Sequence, residues 1–319
     1  MKRKIKSKQL ILVGFLASII ILGSVWQSIM VELQKTAYPA IGSYIDLGTY
    51  QLHYYSQGEG DVAFIFITGS GTPCAYTDFY ELQNKLSTIG QTVTFDHAGC
   101  GWSTKTNSPR TIENLVNELS LLIDTACPNK QIVLLCHSLG SLEAISYTQR
   151  YPQKVKGIIF LDAGTPEFYS EYPEFFAKVM NRGTAFIRIT GINRLLGELG
   201  TLLPLYGENI RNSSIHPDLK SLDKAMYYQH AGNSTTLGSI KLINENASKV
   251  LAGSSLDETP ILILSSDDGN GWREVQIQLT SWSKNNRQVF VKDSQHYIYW
   301  SNYDVVSQNI EEFIQTILD

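Results

Sequence analysis

The chain has 319 residues and four cysteines, with 30 acidic against 26 basic side chains and a formal net charge of −4. Five basic residues (Lys2, Arg3, Lys4, Lys6, Lys8) fall within the first eight positions, so the remainder carries −9, which argues against nucleic acid as a partner. A chain of this length builds its own core, and Cys74, Cys100, Cys127 and Cys136 do not form a disulfide framework. The basic cluster abuts an uncharged apolar run, residues 10–26. Extended to Val31, it matches a ~30 Å hydrocarbon core at about 1.5 Å per residue. Trp26 stands where an interfacial aromatic belongs. The run is long for a signal-peptide core and no small-x-small site follows it, so residues 1–31 read as a cytoplasmic tip and a transmembrane signal anchor. A cleaved signal peptide is the alternative. The positive-inside tendency places everything after Glu32 on the extracytoplasmic side, where Cys74 and Cys100 are a pair that export could oxidise.

Residues 32–41 read as a tether ending at Tyr38-Pro39. Beyond it strand-like and helix-like segments alternate. Residues 43–47 and 50–56 flank Gly48-Thr49 as a hairpin. Val62–Ile67 is a continuous apolar, β-branched run of the kind buried on both faces of a parallel sheet. A helix is predicted over 78–89, a strand over 92–95, and a helix over 111–126. In that helix Ile112, Leu115, Val116, Leu119, Leu122 and Ile123 recur at helical spacing. Strands follow at 131–135 and 155–161, with a helix at 138–151 between them. A last group comprises a strand at 261–265, a helix at 274–282, a strand at 288–291 and a helix at 305–318. Repeated βα units with uniformly apolar strands imply a mostly parallel sheet covered by helices on both sides. Residues 165–259 break the rhythm. They hold early aromatics (Phe168, Tyr169, Tyr172, Phe175, Phe176), then the stripe Ile192, Leu195, Leu196, Leu199, Leu202, Leu203, and nothing that reads as a strand. The interval is expected to be a helical cap between core segments 42–164 and 260–319, with the stripe as its core and a lipid groove as the alternative.

Cys136-His137-Ser138-Leu139-Gly140 carries the chemistry. It follows a short apolar strand and opens a helix, the setting of a nucleophile elbow, although Cys136 stands where G-x-S-x-G has its first glycine. A serine there projects its hydroxyl clear of the sheet, and the N–H behind it lies at a helix N-terminus suited to an oxyanion. Serine needs a base, and the base needs an orienting acid. Of six histidines (His53, His97, His137, His216, His230, His296), His296 alone lies just beyond the last predicted strand, at the sheet edge where ligands gather. Asp267 and Asp268 follow the preceding strand. The order Ser138, Asp268, His296 is that of a hydrolase triad. Gly69-Ser70-Gly71 lacks the Gly-Lys-Ser/Thr ending of a phosphate loop, and neither zinc spacing nor a dinucleotide fingerprint occurs, so no metal or cofactor is expected.

From residue 42 to 318 the sequence resembles the α/β-hydrolase-fold serine hydrolases of the bacterial esterase and prolyl-aminopeptidase-like type. The matching stretches are residues 48–55, Gly58-Glu59-Gly60, the turn from Phe95 to Ser103 with its Asp-x-x-Gly-x-Gly-x-Ser pattern, the elbow, the acid and the histidine. The resemblance implies Ser138 as nucleophile and His296 as base. Its acid-to-histidine spacing favours Asp268 over Asp267, and Asp162 occupies a position used by some relatives. Thr68-Gly69-Ser70-Gly71 stands where the family has His-Gly, which implies the backbone N–H groups of Ser70 and Leu139 as oxyanion donors. Asp96 and Trp102 are expected to shape a nearby loop. A serine at the elbow argues against the dehalogenase and epoxide-hydrolase branches, which use aspartate there. The activity implied is hydrolysis of a small or lipid-like carboxylic ester. Alternatives are a prolyl-type aminopeptidase, holding a substrate ammonium through Glu167, Glu171, Glu174 or Glu198, and a catalytically silent hydrolase fold that serves as a binding module.

Overall fold

The computed structural model describes residues 2–200, 214–267, 269 and 271–318. The chain opens with one long helix, α1 (Lys2–Ala37). Residues 7–37 of it are long and apolar enough to cross a membrane. The helix runs through most of the expected 32–41 tether because nothing breaks it before Pro39, which disfavours helical geometry at the residue preceding it.

Eight strands form one sheet: β1 (Ser43–Asp46), β2 (Gln51–Gln57), β3 (Val62–Ile67), β4 (Gln91–Phe95), β5 (Gln131–His137), β6 (Val155–Leu161), β7 (Ile261–Ser265) and β8 (Asn286–Phe290). Their spatial order is β1-β2-β4-β3-β5-β6-β7-β8. β2 runs antiparallel to β1 and β4, and the rest pair in parallel. The parallel strands are apolar throughout because both faces are covered. In β3, Ala63, Ile65 and Ile67 enter one core while Phe64 and Phe66 enter the other. In β5, Ile132, Leu134 and Cys136 face the first, Val133 and Leu135 the second. The first core is covered by α3 (Ile112–Ala126) and α4 (Ser141–Arg150), the second by α2 (Ala75–Leu86) and a closing helix, Tyr303–Leu318. Thr111 caps α3, its hydroxyl accepting the Asn114 N–H at 3.4 Å. This is the expected mostly parallel sheet with helices on both sides.

Between β6 and β7 the described residues form helices and no strand: α5 (Pro166–Ser170), α6 (Glu174–Ile189), α7 (Ile192–Glu198), α8 (Lys220–His230), α9 (Ser234–Ile240) and α10 (Ile243–Leu251). After β7 come α11 (Trp272–Ile277), a 3-10 turn at Gln278–Trp282, β8, α12 (Ile298–Ser301) and the closing α13 (Tyr303–Leu318). The described part of the apolar stripe expected to form the insert's core is mostly turned outward, with Ile192 exposed and Leu196 half-buried. Leu195 and Leu199 are exposed, Leu202 and Leu203 lie outside the described residues, and the buried face of α7 is Asn193, Arg194 and Gly197. That face is occupied because Arg194 is committed to α1. Its Nε donates to Gln27 Oε1 at 2.7 Å and an Nη to Gln34 Oε1 at 2.8 Å. A β-carbon at Gly197 would run into the Tyr228 ring.

His230, at the end of α8, is buried, and burial pushes its pKa down to about 4. The folded value lies below the unfolded one, about 6.5. The neutral ring therefore contributes stability that is present above about pH 6.5 and lost as pH falls toward 4, a total of order 3 kcal/mol. Thermal melts between pH 7.5 and 5 should show a Tm that drops on acidification in the wild type and less steeply in His230→Leu. Equal slopes would remove His230 from the acid response.

Candidate active site

β5 ends at His137, and Ser138 takes φ +51°, a left-handed conformation that costs a side-chain-bearing residue energy. The chain then enters a 3-10 turn (Ser138–Gly140) and α4, so the predicted helix at 138–151 begins with a tighter first turn. The elbow is this tight because glycines surround it. A β-carbon at Gly69 would sit 2.8 Å from Ser138 Cβ, and one at Gly140 would sit 3.0 Å from the Thr68 carbonyl oxygen. Cys136 needs no such space, since its side chain turns into the core and its Sγ lies 3.7 Å from the Ile159 carbonyl oxygen.

His296 lies in the loop after β8, between β8 and α12, and lines the same cavity as Ser138. Its ring sits edge-on to Trp272 at 5.8 Å and beside His137 at 4.6 Å. Its Nδ1 is 2.7 Å from Asp162 Oδ2. The carboxylate against the histidine is therefore the one that ends β6. Asp267 is exposed, its backbone N–H donating to Ser294 Oγ at 3.3 Å, and Asp268 lies outside the described residues. Asp162 is fully buried at φ +47°, and every donor around it converges. Oδ1 accepts the Ser266 N–H and the Gln276 Nε2–H, each at 2.6 Å, and Oδ2 accepts Trp272 Nε1–H at 2.9 Å as well as the histidine. Burial alone would raise the carboxyl pKa. The hydrogen bond and charge of His296, with the Ser266 N–H, outweigh it and hold the group below the ordinary aspartate value. With Nδ1 bound to Asp162, Nε2 is the nitrogen left for proton transfer.

Ser70 and Leu139 line this cavity too, together with Ser138. Thr68, at the start of the loop, is bonded by His97 from the loop after β4. His97 Nδ1 is 2.9 Å from Thr68 Oγ1 and its Nε2 2.8 Å from Glu143 Oε1 on α4. Burial disfavours the charged ring, but Glu143 outweighs it and raises the His97 pKa. The pair thus ties the loop to the elbow helix. Asp96 shapes the neighbouring turn, as expected. It accepts the Ala75 N–H at 2.8 Å and the Trp102 N–H at 3.1 Å, and pairs with buried His53 at 2.9 Å. Trp102 Nε1–H donates to the Tyr38 carbonyl at 3.0 Å. His216 lies apart, its ring 5.2 Å from Tyr80. The thiols of Cys74, Cys100, Cys127 and Cys136 are all unbridged.

The cavity holds about 690 Å³ and is walled by Phe168, Tyr172, Phe176, Met180, Ile240 and Ile243. Tyr169 escaped the sequence analysis as a site residue, although it belongs to the aromatic cluster noted there. It is buried, its ring packs over Gly164, and its hydroxyl meets the Ser138 side chain. Trp272 and Gln276 were missed as well, because nothing in a linear reading ties them to Asp162.

Residues 62–303 match the family model described as alpha/beta hydrolase fold. The chain belongs to that family. It is 26% identical over 270 residues to the uncharacterized protein YbdG of Bacillus subtilis (strain 168), covering 82% of each chain. A shorter stretch of 82 residues is 38% identical to a (lyso)-N-acylphosphatidylethanolamine lipase of Bos taurus, covering 25% of this chain and 24% of that one. Among solved structures, a thermophilic esterase from Thermogutta terrifontis superposes with a TM-score of 0.65 at 20% identity, over 87% of this α/β-hydrolase and 99% of the esterase. At that identity the likeness speaks for the fold.

Proposed function

We propose that this α/β-hydrolase is a serine hydrolase that cleaves carboxylic esters through an acyl-enzyme, anchored by α1 in a membrane with its catalytic domain on the extracytoplasmic side. The observation that carries the reading is His296 Nδ1 at 2.7 Å from the buried Asp162 carboxylate, in a cavity shared with a serine at φ +51°. In this reading Ser138 Oγ attacks the ester carbonyl carbon as His296 Nε2 takes its proton. Asp162 holds the ring in the tautomer that leaves Nε2 free and stabilises the imidazolium. The backbone N–H groups of Ser70 and Leu139 face the oxyanion, an interaction worth about 3 kcal/mol of barrier per donor. His296 then returns the proton to the leaving alkoxide. A water deprotonated by the same nitrogen attacks the acyl carbon, and collapse releases the acid and restores Ser138.

The cavity lining favours an ester over a peptide. Among the described residues no carboxylate lines it, so nothing there holds a substrate ammonium. Glu174 is engaged instead with the Asn244 N–H and Lys178, and Glu167 with Trp282. The apolar walls suit an acyl chain, and helices 166–251 act as the cap that selects it.

A fluorophosphonate probe should label the wild-type protein, and p-nitrophenyl esters of rising chain length should turn over far faster than proline-aminocoumarin. An unlabelled wild type would leave a silent binding fold. Faster release of aminocoumarin would favour the peptidase.

A further inference from the structure

The helical insert exposes a face that nothing among the described residues covers. Along α6 and α7, Phe175, Phe186, Ile189, Leu195 and Leu199 are all more than half exposed, Leu199 at 66%. On α6 they recur at helical spacing, on one stripe. Elsewhere on the catalytic domain exposed large apolar side chains, such as Ile89, Leu121 and Ile277, are scattered singly, which is ordinary for a soluble surface.

Where this face lies relative to α1 decides what covers it. The turn between α6 and α7 is pressed onto α1 at Gly23. A β-carbon there would run into the Thr190 carbonyl oxygen, and one at Gly191 would sit 2.7 Å from the Gly23 carbonyl oxygen and 3.2 Å from the Trp26 ring. Gly23 is inside the apolar run, eight residues before its end at Val31, or about 12 Å along the helix axis. The junction is also fixed in rotation. Besides the Arg194 bonds to Gln27 and Gln34, Gln27 Nε2 donates to the Tyr228 carbonyl at 2.7 Å. If α1 spans a bilayer with Val31 at its outer boundary, the turn between α6 and α7 is held about 12 Å inside that boundary, which brings the exposed apolar side chains of α6 and α7 into the outer leaflet. Arg182, exposed on the same helix, is suited to reach lipid headgroups. Phe176 is 65% exposed and also lines the active-site cavity, so the mouth of the cavity borders this face.

We propose that the exposed face of α6 and α7 is embedded in the same phospholipid leaflet that α1 enters, and that the cavity receives its substrate, a long-chain acyl ester, laterally from that leaflet. The inference rests on the anchored-esterase reading. The full chain, reconstituted in phosphatidylcholine vesicles containing nitroxide-labelled lipid, tests it through an environment-sensitive fluorophore on a single introduced cysteine. Fluorophores at Phe186→Cys and Leu195→Cys should be blue-shifted and quenched, as should one at Ile20→Cys on α1, while one at Ile277→Cys is neither. Quenching at 20 without quenching at 186 and 195 overturns the proposal and leaves the anchor standing. A blue shift at 186 without lipid quenching overturns it in favour of a second copy of the chain. Lack of quenching at position 20 overturns the anchor and this proposal together. As a second readout, the Phe186→Ser/Ile189→Ser pair, which lies outside the cavity, should slow hydrolysis of a vesicle-borne long-chain ester about tenfold and leave p-nitrophenyl acetate turnover unchanged. Equal rates on both substrates would overturn lateral entry.

Discussion

Ser138→Ala is expected to lower kcat on a p-nitrophenyl ester by roughly 10⁴–10⁶-fold and to abolish fluorophosphonate labelling, with Tm held near that of the wild type. The size follows from the proposed chemistry, since among the described residues lining the cavity only Ser138 stands at the elbow. Tyr169 is nearest, but burial raises its pKa far above the ordinary tyrosine value and makes it a poor nucleophile. What survives the substitution should be the rate given by the cavity and the oxyanion donors alone, about 10³–10⁴ over water. Alanine carries the same β-carbon into φ +51°, so the elbow pays no new conformational cost. Turnover within tenfold of wild type would sink the nucleophile assignment, and with it the acyl-enzyme.

Asp162→Asn should cost about 10³–10⁴ in kcat while KM moves little, because the residue acts on His296 and not on substrate. An aspartate here accepts from His296, Trp272, Gln276 and both the N–H and the hydroxyl of Ser266. An asparagine can accept at one oxygen only, so its amide nitrogen must face two of those donors. The histidine is then driven toward the wrong tautomer, and stability should fall by about 1–3 kcal/mol as buried donors lose their partner. Asp267→Asn, on an exposed side chain, should stay within twofold of wild type. Parallel kinetics on Asp162→Asn, Asp267→Asn and Asp268→Asn decide the matter. A larger loss at Asp268 than at Asp162 would return the acid to the end of β7.

The difference between these two acids shows what a linear reading can and cannot reach. Ser138 was legible because an elbow is local: an apolar strand, a serine and small neighbours within a few residues dictate the turn. His296 was legible by position, since a histidine just beyond a buried strand has one edge of the sheet to occupy. The carboxylate that meets His296 was not, because Asp162, Asp267 and Asp268 all follow strands that end at the same edge. Choosing among them depends on which carboxylate the Trp272 and Gln276 side chains converge upon. The apolar stripe on α7 misled for a related reason. Periodicity reveals that a helix has an apolar face but not which face is turned inward, and in α7 the inward face is given over to Arg194 and Gly197. The partner of Thr68 is equally out of linear reach, because His97, from the loop after β4, bonds it across 29 residues of sequence.

The contact between α1 and the insert also bears on how this protein matures. Arg194 is buried against Gln27 and Gln34, and Tyr228 gives its carbonyl to Gln27, so the catalytic domain's own packing is finished by residues that a processing protease would have to remove. Cleavage beyond residue 31 would strip a buried guanidinium of one or both of its acceptors and lay bare the Gly191 turn. The N-terminal helix is thus a fitted component of the folded domain, and a trimmed form lacking it would lose the packing that holds α7 and α8 in place.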